Sequence, residues 1–64
     1  MKQYIVDDGV LNKINKFHRK SDIRSAKIAI GKIRIEAEKN NGYVKKYLHK
    51  KANYFDNKLN RIIG

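Results

Sequence analysis

The sequence has no cysteine, no proline and no tryptophan, and only six acidic residues among 64. Without cysteine there is no disulfide and no thiolate metal site, and a reducing compartment suits such a chain. The acids Asp7, Asp8, Asp22, Glu36, Glu38 and Asp56 are too few and too dispersed for the convergent carboxylates of a metal-dependent nuclease. Adjacent Asp7 and Asp8 suit helix capping better than acid–base work. There is no cysteine nucleophile and no glycine-rich phosphate loop. Neither His18 nor His49 has a metal-ligating neighbour at helical spacing except Asp22, four residues after His18 across an expected helix break. No enzyme, cofactor or metal site is expected.

Long apolar runs are also missing. No stretch approaches the length needed to span a bilayer, and the start lacks a basic region followed by a hydrophobic one. A cytoplasmic protein is therefore expected. With no repeat and no low-complexity tract, residues 1–64 read as one small basic domain near the lower size limit for a self-sufficient core.

What is abundant is positive charge. Sixteen Lys and Arg give a formal net charge of +10. Residues 39–64 carry seven cations against one acid, residues 1–20 five against two, and residues 21–38 four against three. Self-repulsion at this density points to a polyanionic partner. The middle of the chain reads as the structural part.

Periodicity gives a mainly α fold, a compact three-helix domain with helices at about 8–20, 22–39 and 43–63. Met1–Val6 is a candidate short strand, since Tyr4, Ile5 and Val6 favour extended backbone. Asp7 or Asp8 caps helix 1, where Val10, Leu11, Ile14, Phe17 and His18 share a face. Ser21 or Asp22 opens helix 2, in which Ile23, Ala26, Ile30, Ile33 and Ala37 form a 3-4-3-4 seam. The alternative is an α+β fold with a hairpin at 26–37, turning at Gly31-Lys32 and pairing Ile30 with Ile33 and Ile28 with Ile35. The helix formers Ala26, Ala29, Ala37, Lys27, Lys32, Arg34 and Glu36 favour the helical form. Asn40-Asn41-Gly42 then stops it. In helix 3, Val44, Leu48, Ala52, Phe55, Leu59 and Ile62 form the core arc.

The order Lys2–Val6, helix 1, helix 2 is similar to that of ribbon-helix-helix DNA-binding proteins, which would imply an obligate dimer with paired strands in the major groove. No diagnostic motif accompanies the likeness, Asp7-Asp8-Gly9 is an unusual link, and helix 3 would be an addition. The fold class does not rest on it.

A second arc of helix 3 carries Tyr43, Tyr47 and Tyr54 among Lys46, Lys50, Lys51, Lys58 and Arg61. Cations hold phosphates, and flat rings stack on bases or hydrogen-bond to the backbone. Lys13, Lys16 and Lys20 extend the field from helix 1. The bland alternative is tyrosines rimming a core with lysines solvating the exposed side. The expectation is a small regulatory or accessory factor that binds nucleic acid, DNA or RNA, through phosphate contacts and tyrosine stacking. The Lys-, Asn- and Ile-rich composition suits an AT-rich bacterial or viral genome.

Ile28 and Ile35 form a second apolar stripe on helix 2, opposite the seam. One small chain cannot readily bury both, so this stripe is the expected homodimer interface. The rival reading is a protein-interaction module, an inhibitor or adaptor that covers an acidic surface of a larger protein. A membrane-surface role ranks last, because tryptophan is missing and the apolar arc of helix 3 is needed for the core.

Overall fold

A computed structural model describes residues 4–64, of which 84% are helical. The order is α1 (Asp8–Phe17), α2 (Lys20–Glu38) and α3 (Gly42–Ile63). Asp7 starts α1: it is extended, and its Oδ1 accepts from the Val10 N–H at 2.8 Å. That contact satisfies one of the free amides at the helix start.

α1 is shorter than expected. His18 adopts the left-handed conformation (φ 50, ψ 38), and its N–H donates to the Ile14 carbonyl at 2.7 Å. The helix therefore closes three residues before the expected end at 20. Lys20 is the first residue of α2, not the last of α1. Arg19 precedes α2 without a side-chain cap, and Asp22 sits in the first turn, where its charge complements the helix dipole. His18 itself is exposed rather than on the core face.

The segment 26–37 is helix throughout, so the alternative hairpin does not form. The seam explains the outcome. Ala26, Ile30 and Ala37 are buried, and Ile23 and Ile33 are partly buried against them. As strands, the same residues would lack the sheet partners that make a hairpin stable. Ala29 is buried as well, which the seam did not include. At the end of α2 the side chain of Asn40 donates to the Glu36 carbonyl at 2.8 Å. The chain then reverses through Gly42, whose φ of +62 an L side chain rarely adopts.

In α3 the expected arc turns inward at Ala52, Phe55 and Leu59, with Leu48 and Ile62 partly buried. Val44 instead lies exposed at the first turn. From α1, Leu11 and Ile14 complete the core. Phe17 is half exposed, its ring faced by Lys16 Nζ at 5.3 Å and the Arg19 guanidinium at 5.2 Å. Cations over an aromatic face are favourable where the ring remains wet.

Of the strand expected over Met1–Val6, Tyr4–Val6 form none, and Met1–Gln3 lie outside the described residues. Val6 is nevertheless buried in the core, and the Tyr4 ring lies 4.8 Å from Lys32 Nζ. The segment is a lid on α2, made of one buried valine and one tyrosine. The whole spans 37 × 28 × 17 Å.

Candidate nucleic-acid interface

α3 is gripped on both sides of its core arc by polar contacts, and these decide which cations remain available. On the α2 side, Arg34 donates to Asn53 Oδ1 at 3.0 Å and pairs with Asp56 at 3.7 Å. One turn further along α2, Glu38 takes both Lys45 and His49 Nε2 at 3.1 Å. Lys45 first, then His49, holds the Glu38 carboxyl below the usual carboxylate range. These pairs tie the end of α2 to the start of α3 across the turn.

On the α1 side, Asp8 accepts from Lys58 Nζ at 3.0 Å and from the Tyr54 hydroxyl at 3.5 Å. The Tyr54 ring also meets Phe55 edge-on at 5.2 Å and lies 5.1 Å from Lys58 Nζ. The Tyr54 hydroxyl and then Asp8 raise the Lys58 ammonium above its ordinary value. Tyr54 and Lys58 thus fasten α1 to α3, although the Tyr54 ring stays about half exposed.

Between the two seams lies an open face. Tyr43 is 82% exposed and Tyr47 54%. Lys46, Lys50, Lys51 and Arg61 are exposed and have no ion-pair partner among the described residues. Asp56, the acid of α3, is turned to Arg34. Beside this face runs a shallow groove of about 630 Å³ lined by Gly42, Lys45, Lys46, His49, Lys50 and Asn53. At the far end a second groove joins Lys58 and Arg61 to Asn12 and Asn15 of α1.

The remaining sequence candidates lie elsewhere. Lys13 and Lys16 are exposed on α1 and line neither groove. Lys20 lines a different depression with Arg24 and Ile28 on α2. Sequence reasoning passed over Asn12, Asn15 and Asn53, whose amides can both donate and accept. Lone asparagines carry no periodic signal; the packing of α1 on α3 brings Asn12 and Asn15 to their groove, while Asn53 lines one made by α3 alone. Among the described residues no group of His, Asp and Glu is placed to hold a metal ion. Nor, among the described residues, is any helix long and apolar enough to cross a membrane. No family model, no curated protein and no solved structure matches this chain.

Proposed function

We propose that the protein binds nucleic acid through the open face of α3, as a small regulatory or accessory factor. One observation carries the reading: Tyr43, Lys46, Tyr47 and Lys50 stand together in solvent while the nearby acids Glu38, Asp56 and Asp8 are occupied on the flanks. A face of unpaired cations with exposed rings suits a phosphate backbone and, where bases are unstacked, the bases themselves. Lys46, Lys50, Lys51 and Arg61 neutralise phosphates. Tyr43 and Tyr47 stack or hydrogen-bond. Asn12 and Asn15 extend the contact at the Arg61 end.

Binding to duplex DNA and to single-stranded RNA, titrated against salt, tests the proposal. Affinity falls with salt at a log–log slope of about −0.9 per duplex phosphate neutralised. The double change Lys46→Glu and Lys50→Glu flattens the slope and leaves the fold intact, since neither side chain has an ion-pair or hydrogen-bond partner among the described residues. Tyr47→Ala costs about 1–3 kcal/mol on a single strand, where rings reach the bases, and less on a duplex. A charge-reversed protein that binds like the parent removes this face from consideration. A parent that binds neither polymer at low salt refutes the proposal.

A further inference from the structure

The second apolar stripe of α2 stays uncovered: Ile28 is 37% exposed and Ile35 61%. They lie two turns apart on one side of the helix, about 10 Å along its axis. Gly31 lies between them. A Cβ built there meets nothing within 4 Å, so no contact inside the chain calls for glycine at that position. The result is a gap in the helix surface between two isoleucines, where a knob from another helix fits.

Unpaired cations gather at the Ile28 end of this gap, while at the Ile35 end Glu36 is paired with Lys39 and Glu38 with Lys45 and His49. Two depressions meet at Ile28 and share Lys20 and Arg24, with Lys27 in one of them. Lys32 stands on the Tyr4 side. None of these four has an ion-pair partner among the described residues.

We propose that this face of α2 docks an acidic amphipathic helix of a partner protein, with aliphatic side chains on either side of Gly31 and carboxylates on Arg24, Lys27 and Lys32. Charge complementarity selects the occupant. A second copy laid parallel would bring Arg24, Lys27 and Lys32 against their own counterparts, and like charges across a contact oppose association. Laid antiparallel about Gly31 it would offer Arg24 only Glu38, a carboxylate that Lys45 and His49 already hold. A phosphate backbone offers nothing to two isoleucines. The face lies on α2 and Tyr43 and Tyr47 on α3, so the inference does not rest on the nucleic-acid reading.

The probe is a synthetic helical peptide of about three turns, with leucines at i, i+4 and i+7 and glutamates elsewhere. A second peptide has the same composition with the leucines dispersed around the helix. Binding to the full chain is measured by fluorescence anisotropy, and sedimentation equilibrium gives the mass of the free protein. The patterned peptide binds at least about tenfold more tightly than the dispersed one, a difference a single well-packed anchor supplies. Ile28→Ser with Ile35→Ser removes that preference and leaves circular dichroism and nucleic-acid affinity at parental levels, whereas Arg24→Glu with Lys27→Glu weakens both peptides and leaves circular dichroism at the parental level. Equal binding of the two peptides, or none, overturns the proposal. So does a dimer that Ile28→Ser and Ile35→Ser dissociate, because a second copy then fills the gap. Loss of nucleic-acid binding in the isoleucine variant assigns the face to the polyanion and also overturns it.

Discussion

At the scale of single residues, charge partnership separates framework from surface. Glu38 is the sharpest case, because one carboxylate holds Lys45 and His49 and so closes the α2–α3 corner. Its folded-state value lies below the ordinary 4.5. The stabilisation it gives is therefore complete above that value and disappears as pH falls through the depressed one. Glu38→Gln lowers stability at neutral pH and makes the acid limb of a Tm-against-pH curve shallower than the parent's. Parallel curves for the two proteins would show that the corner does not depend on this carboxylate. Lys58 is the alkaline counterpart. Held up by Tyr54 and Asp8, it contributes below its ordinary 10.5 and ceases to do so as pH rises through its higher folded value.

At the scale of the element, α2 is the hub, and it buries mostly small side chains. Ala26, Ala29 and Ala37 let α3 approach closely, and Ile30 supplies the bulk. Gly31 is a cost within this helix: glycine in a helix interior is about 0.5–1 kcal/mol less favourable than alanine. With open space where its Cβ would go, Gly31→Ala raises the urea midpoint by an amount equivalent to about 0.5–1 kcal/mol at constant m-value. A lowered midpoint would mean that the helix is not regular at this position. The same element shows how far sequence carries. Its helical state was legible in the helix formers around Ile30, although alternation from Ala26 to Ala37 fitted a hairpin equally well. The end of α1 was not legible, because the left-handed turn falls on His18 and no glycine or asparagine announces it.

For the whole molecule, the governing facts are a net charge of +10 and a thickness of 17 Å. At about 0.01 M ionic strength the Debye length is about 30 Å, so cations on opposite faces repel one another through the domain. At about 0.15 M it is about 8 Å, and that repulsion is screened. The ion pairs lost to screening are exposed ones, worth at most about 1 kcal/mol each. Most cations among the described residues have no pair to lose. Tm therefore rises between these two salt concentrations, as a thermal melt followed by circular dichroism shows directly. A Tm that falls instead would place the Arg34, Lys45 and Lys58 pairs above the repulsion in weight.

The sequence by itself determined three helices and the stripes that fill the core, because burial on a helix follows the 3.6-residue period and that period is local. It also marked Ile28 and Ile35 as apolar residues outside the seam, and Tyr43, Tyr47, Lys46 and Lys50 as an outward arc. Only the tertiary structure decided which polar groups of α3 are free. Asp8 reaches Lys58 across 50 residues of chain, and Arg34 meets Asn53 and Asp56 from another helix. Tyr54 therefore reaches Asp8 of α1 while Tyr47 has no hydrogen bond among the described residues, although the two are equivalent by periodicity and almost equally exposed. The reason is physical: an ion pair depends on where two helices cross, and crossing is set by the packing of side chains that are distant in sequence.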